Sequence, residues 1–245
     1  MKRRLTGPLL FPLAALIVVA SLARGAVTAP SYTDAYYHFN AASRLARGDG
    51  FVEDYLWNYL DAPMELPVPS HRYWMPLTAM LAAMGMAAFG APADYDAAQA
   101  PFILLAAGAG MVAYATTRSL AGNRRNAWIA GLLTAFGGFF APRWGAIDSF
   151  APYVLIGALA LLCCGKALMR PERQSLYWLL TGCLVALGHL TRPDGLLLLV
   201  SACYAAIPAR GFLALLRQRQ WSVCLKPLLL VSTSYLLLLL PGAVL

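Results

Sequence analysis

Residues 73–90 read Tyr73-Trp74-Met75-Pro76-Leu77-Thr78-Ala79-Met80-Leu81-Ala82-Ala83-Met84-Gly85-Met86-Ala87-Ala88-Phe89-Gly90. Whether this run crosses a bilayer decides the topology of everything after it. A crossing helix needs about 20 apolar residues, with a range near 17–25. The run sits at the short end of that range. It contains Pro76 and many small residues, and an aromatic pair stands at its edge.

Charge settles the question left open by length. If the run stays in the outer leaflet, 13 of the 19 Lys and Arg residues fall on the cytoplasmic side and 6 on the other. If it crosses, everything downstream inverts and the count becomes 5 inside and 14 outside. Basic loop residues favour the cytoplasmic face, so the first arrangement is expected. It also leaves ten of the eleven acidic residues outside, with Glu172 alone inside.

The composition of the 245-residue chain agrees with a lipid solvent. Hydrophobic residues make up 60% of it and charged residues 12%, with mean hydropathy +0.62. A soluble domain carries about 25% charged residues. The net charge of +8 comes from short clusters between apolar runs, with no continuous patch for nucleic acid. Cys163, Cys164, Cys183, Cys203 and Cys224 fall in or beside apolar segments and lack metal-ligand spacing with histidine, so they read as small membrane-core residues. Lys2-Arg3-Arg4 before the run Leu9–Leu22 has the form of a signal peptide. The many apolar segments that follow favour an uncleaved first helix.

Further apolar runs lie at about 8–26, 98–118, 127–142, 150–168, 175–190, 194–209 and 226–245. The expected architecture is all-α: a polytopic membrane helical bundle of about seven transmembrane helices, forming one domain over residues 1–245. A long first extracytoplasmic loop at 27–97 contains interfacial helices, and shorter outer loops lie at 142–149 and 190–193. The runs 175–190 and 194–209 are short enough to form one broken or re-entrant hairpin instead.

The first outer loop opens with Tyr32-Thr33-Asp34-Ala35-Tyr36-Tyr37-His38-Phe39-Asn40 and continues to Arg47-Gly48-Asp49-Gly50-Phe51. Asp34 suits a helix N-cap, and Gly48 or Gly50 suits a stop. Tyr36, Phe39, Ala42 and Leu45-Ala46 form an apolar stripe, as in a short amphipathic helix lying on a membrane surface. His38, four residues after Asp34, shares its face. Residues 52–72, rich in acids, aromatics and prolines, read as an irregular loop with Trp57, Tyr59, Tyr73 and Trp74 as interfacial anchors. His71-Arg72 stands ready to contact a phosphate.

Asp148 is the one carboxylate of the second outer loop, Pro142-Arg143-Trp144-Gly145-Ala146-Ile147-Asp148-Ser149-Phe150. Leu190-Thr191-Arg192-Pro193-Asp194-Gly195 opens the next outward-starting helix, with Pro193 suited to its first turn. A helix N-terminus beside Arg192 is a phosphate seat. Each of these residues also has a plainer reading as a helix cap or terminator, and both readings stand at this point.

Asp34 and Asp148, distant in the chain, share one face of the membrane. Two carboxylates there suit a divalent cation, Mg²⁺ or Mn²⁺, that neutralises a phosphate leaving group with help from arginine. An aspartate can alternatively act as general base on an acceptor. Nucleotide sugars are cytosolic, so an outward-facing transferase needs a membrane-borne donor such as a polyprenyl-phosphate-linked sugar. Neither a P-loop nor a Rossmann fingerprint competes with this reading.

Asp34-Ala35-Tyr36-Tyr37-His38-Phe39 with Arg44-Leu45 and Gly48–Phe51 resembles the first outer loop of oligosaccharyltransferase catalytic subunits. Tyr73-Trp74-Met75-Pro76 resembles the segment that ends that loop, and Gly145–Ser149 resembles the second acidic motif. Thr191–Gly195 is similar to a sequence found in protein O-mannosyltransferase-like relatives. The chain thus resembles the GT-C superfamily of lipid-phosphate-sugar-dependent glycosyltransferases over about residues 1–210. The resemblance implies that Asp34 and Asp148 are catalytic and metal-binding, with His38, Arg72, Arg143 and Arg192 on substrate. It also implies a protein, lipid or glycan acceptor and an active site outside an inner (plasma) membrane. Phe150 departs from the motif, which carries an acid there, and the acceptor-recognition motif WWDYG is missing. Two other readings are a lipid-linked-sugar flippase, disfavoured by helix interiors almost free of ionisable residues, and a non-catalytic or truncated subunit, suggested by the abrupt end at Leu245.

Overall fold

The computed structural model describes residues 6–56, 65–137, 143, 145–207 and 221–240, with side chains from residue 10 in the first helix and from residue 225 in the last. The expected roles of Trp57, Tyr59, Lys2, Arg3, Arg4, Arg210, Arg217, Arg219 and Cys224 lie outside the described residues. The chain divides into two compact units, Met1–Leu155 and Ile156–Leu245.

In the first unit α1 (Thr6–Ala26) runs antiparallel to α4 (Tyr95–Ala121), and α5 (Arg124–Phe136) returns beside both. Aromatic packing marks one end. Phe11 stacks on Tyr114 with ring centroids 4.4 Å apart and meets Trp128 edge-on at 5.1 Å. Arg24 marks the other end by pairing with Asp96, and Gln99 Nε2 donates to the Val27 carbonyl at 2.8 Å. Local chemistry sets the turns. Asp94 caps α4 by accepting from the Ala97 N–H at 2.7 Å, and α4 ends at left-handed Gly122. Asn123 then caps α5 through the Arg125 N–H.

The deciding run folds as α3 (Leu77–Ala88), a 12-residue helix. At 1.5 Å per residue it is about 18 Å long, well short of a hydrocarbon core of about 30 Å. It doubles back on α4, where a Cβ at Gly85 would strike the Ala97 carbonyl and Pro101. Among the described residues, α4 and α6 (Phe150–Met169) are long and apolar enough to cross a membrane, while Leu10–Ala26, Leu77–Ala88, Gly195–Ala205 and Leu225–Leu239 are shorter apolar helices.

The amphipathic segment is α2 (Thr33–Arg47), stopped as expected by left-handed Gly48. Two details differ from the sequence reading. The N-cap is Tyr32, so Asp34 stands inside the first turn. The face packed within the protein is Ala35, Tyr37, His38, Ala41, Ala42 and Ser43, whereas Tyr36 is 51% exposed. Small Ala41 and Ala42 let α2 approach Ala79, Ala82, Ala83 and Met86 of α3 closely, and Phe39, Leu45 and Ala46 of the expected stripe pack against the same cluster, so that of the stripe Tyr36 faces out. The segment expected to be wholly irregular holds a minimal antiparallel ribbon, β1 (Val52–Glu53) with β2 (Val68–Pro69), in register Val52 to Pro69 and Glu53 to Val68.

The second unit contains most of α6, a 3₁₀ turn at Pro171–Arg173, α7 (Gln174–Thr191), α8 (Gly195–Ala205) and α9 (Trp221–Leu239). Trp178, Val185, Ala186, Val231 and Tyr235 centre its core. Gly182 lets α9 close on α7, since a Cβ there would strike Ser234 and Val231. α8 is about 16 Å long and folds against the end of α7, where Gly195 meets the His189 backbone. The short runs therefore form a tight helical hairpin. Pro193 precedes the N-cap Asp194 rather than entering the helix, because the turn uses Arg192–Asp194 to reverse the chain.

Candidate active site

Asp148 is set in place by its neighbours. A Cβ at Gly145 would meet Ala23 of α1, so glycine lets the loop lie against that helix. Ile147, fully buried in the cluster with Ala98 and Phe102, anchors the next step. Asp148 follows two residues before α6 begins and is 4% exposed. Its buried carboxylate is well supplied with donors, as it must be. The Ser149 N–H and Oγ–H both donate to Oδ1, the hydroxyl at 2.9 Å, and the Tyr32 hydroxyl donates to Oδ2. A carboxylate has about four acceptor positions. The Oδ1 pair is filled, and Oδ2 retains capacity for one more partner.

Tyr32 brings the two loops together across 116 residues of sequence. Burial pushes its phenol well above the ordinary range, and the charge and hydrogen bond of Asp148 push it further. Arg143 opposes the rise, and Asp34 adds to it. The Arg143 guanidinium lies over the Tyr32 ring, 5.3 Å from its centroid. Of the groups singled out from the sequence, Asp148 accepts from the Tyr32 hydroxyl and Arg143 lies over its ring, while Asp34 stands two residues along the chain. Asp34 is half-buried in the first turn of α2 and accepts from Thr33 Oγ1 at 3.3 Å. The positive end of the helix dipole favours its charge.

Behind Asp34 lies an imidazole cluster. His38 is 2% exposed, and its Nδ1 has no partner among the described residues. Its ring lies 6.4 Å from those of His71 and Trp74. His71 adopts a left-handed backbone, φ 62°, which costs a non-glycine residue about 1–2 kcal/mol. The Tyr37 hydroxyl accepts from its backbone N–H, and Ser70 Oγ hydrogen-bonds its Nδ1 at 2.7 Å. Burial drives both imidazoles down to about 3, so both are neutral near neutral pH. His38 thus sits in the wall rather than on an open surface. His71, named in the sequence only as a neighbour of Arg72, is part of the same wall.

The remaining expected residues are dispersed. Arg72 is exposed. Arg192 belongs to the second unit, where its Nε donates to Asp194 at 3.1 Å. No group of three or more His, Cys, Asp or Glu side chains among the described residues could hold a metal ion, so any ion here would rest on the two aspartates. Tyr32 and buried Glu53 escaped sequence reasoning. A tyrosine two places before an acid carries no pattern, and Glu53 stands in a run of acids that reads as solvated loop.

A family model described as dolichyl-phosphate-mannose-protein mannosyltransferase matches residues 69–243, a range that includes Asp148 and lies downstream of Asp34. Two solved structures of the Archaeoglobus fulgidus oligosaccharyltransferase share the fold. The apo form matches at TM-score 0.65 and 16% identity, covering 97% of this chain and 30% of that one. The enzyme AglB in complex with an inhibitory peptide and a dolichol-phosphate matches at TM-score 0.57 and 17% identity, covering 94% and 32%. The chain thus spans about a third of the length of the structures it matches. Comparison with curated protein sequences finds no match.

Proposed function

Because the chain belongs to the dolichyl-phosphate-mannose-protein mannosyltransferase family, within the GT-C superfamily, we propose that it transfers a sugar from a polyprenyl-phosphate-linked donor to a protein, lipid or glycan acceptor at the extracytoplasmic face of a plasma membrane. The observation that carries this is the hydrogen bond of the Tyr32 hydroxyl to Asp148, with Arg143 over the Tyr32 ring and Asp34 two residues along the same segment. The archaeal relative in complex with a dolichol-phosphate supports a lipid-linked donor. The split of basic residues supports a cytoplasmic N-terminus and an outward-facing site.

In this reading Asp34 and Asp148 would hold a Mg²⁺ or Mn²⁺ ion through their carboxylate oxygens. The donor set fits: hard carboxylate oxygens, one open position on Asp148 Oδ2, and few enough protein ligands to leave room for phosphate oxygens and water. The bound cation supplies neutralisation of the charge on the departing phosphate. The acceptor oxygen bonds to the anomeric carbon as the bond from that carbon to the phosphate oxygen breaks. The phosphate leaves with the electron pair and the acceptor proton passes to water; alternatively, with no ion held, Asp34 acts as general base and takes that proton. Arg143 holds positive charge beside the phosphate. Tyr32 and Ser149 fix the Asp148 carboxylate so that it need not reorganise.

The test is transfer from a radiolabelled polyprenyl-phosphate sugar by membranes bearing Asp34→Asn or Asp148→Asn, with and without a chelator. The expected result is loss of transfer in each variant while membrane insertion is unchanged. Full activity in both variants would remove the carboxylates, and this mechanism with them.

A further inference from the structure

On the far side of α2 from Asp34 lies a polar cavity of about 280 Å³, framed by the C-terminal half of α2, the segment Glu53–Tyr55 and Ala93. We infer that this cavity binds a neutral sugar ring of a saccharide chain, at a point separate from the carboxylate pair. The inference rests on the glycosyltransferase reading above.

Separation follows from helix geometry. Arg44 lies ten residues beyond Asp34, roughly 15 Å along the axis, and Asn40, Ser43 and Arg47 are turned about 120–180° from it at 3.6 residues per turn. A ring held here is therefore remote from the reacting bond. It belongs to the acceptor or to the distal part of the donor.

The lining selects the ligand. Charge is balanced, with Arg44 and Arg47 against Glu53 and Asp54. Arg44 is already engaged by Asp49 at 2.8 Å and by Asp54, which fixes the 48–54 loop onto the helix. Glu53, 5% exposed, adds a carboxyl group to the wall, and the Asp49 and Asp54 partners of Arg44 leave that guanidinium little free charge for phosphate. Sugar hydroxyls suit this mixture, since each both donates and accepts. A carboxylate takes charge-assisted bonds from them, and Asn40 and Arg47 can each engage two. The buried Arg44 Nε–H has no partner among the described residues and is a further donor. Phe39 and Tyr55 give apolar ring surface for the C–H face of a pyranose. At about 30 Å³ per water the space equals roughly nine waters, enough for one ring with a few waters.

The experiment is saturation-transfer NMR on the full chain in detergent, with free hexoses and N-acetylhexosamines as probes at millimolar concentration. The expected result is signal from at least one probe, weakened about tenfold by Asn40→Ala or Arg47→Ala, the loss of one charge-assisted or paired hydrogen bond. The signal should be unchanged in the Asp34→Asn, Asp148→Asn double variant and undisturbed by inorganic phosphate. Arg47 is exposed near the helix end, so its variant should fold even where Asn40→Ala does not. Absence of signal from every probe, signal that survives both cavity substitutions, or displacement by phosphate would overturn the inference. If transfer depends on the aspartates and no probe binds, the cavity assignment fails alone. If probes bind and transfer ignores the aspartates, the mechanism fails alone. A rise in the acceptor KM of Arg47→Ala would assign the ring to the acceptor, and a rise in the donor KM to the donor, either result supporting the site.

Discussion

The two units treat buried polar groups differently. In the second unit Thr181, Thr191 and Ser234 each donate back to the carbonyl four residues earlier, at 2.7–2.8 Å. Their needs are met inside their own helices, as a lipid solvent requires. A long-range hydrogen bond in this unit joins His189 Nδ1 to the Tyr235 hydroxyl, whose rings stack. In the first unit Thr134 likewise donates four residues back, but several polar groups also find partners far away in sequence: Asp148 with Tyr32, Gln99 with Val27, and the His71 N–H with Tyr37. Locally satisfied groups make a helix indifferent to its surroundings. Groups that need distant partners make a place where loops must meet, and chemistry needs such a place.

The sharpest way to break this contrast is Asp148→Asn, which should lower transfer by at least ~10²-fold with little loss of insertion, as measured by donor turnover and protease mapping. Next comes pH. His38 and His71 are held at about 3 in the folded state against an ordinary 6.5. The unfolded chain therefore binds more protons between those values, and stability falls as pH drops from about 6.5 toward 3. The slope should reach about 1.4 kcal/mol per pH unit for each histidine. Thermal unfolding in detergent should show it, and His38→Phe should flatten it. An unchanged slope would mean that the imidazoles are not buried neutral.

Smaller effects sharpen the comparison. Tyr32→Phe removes one of three donors to Asp148 and should reduce transfer roughly tenfold, with a stability loss of about 0.5–1.5 kcal/mol. Rescue of the rate by raised cation concentration would identify the loss as one of carboxylate positioning. The smallest change should come from Ser234→Ala, within ~0.5 kcal/mol, because its hydrogen bond is made within one helix. A large effect there would show that the second unit too depends on distant polar partners.

Much of this was legible in advance. Helix positions followed apolar runs, Gly48 stopped α2 by left-handed geometry, and residues 77–88 of the deciding run folded as a helix shorter than a bilayer core. The apolar stripe of α2 was legible through Phe39, Ala42, Leu45 and Ala46, whereas the exposure of Tyr36 and the burial of Tyr37 and His38 depend on the fit of the helix to its neighbours. The sequence singled out Asp34 and Arg143 from their own loops, but nothing in either loop announced that Tyr32 would bind Asp148.

Sequence alone determined the apolar solvent and the positions of the helices, because those follow from composition and periodic pattern summed over many residues. Tertiary structure alone decided that Tyr32 bridges the two loops, that His71 takes a left-handed backbone against Tyr37, and that a polar cavity opens behind α2. Each of these rests on one or two contacts between segments far apart in the chain, and such contacts leave no trace in local propensity.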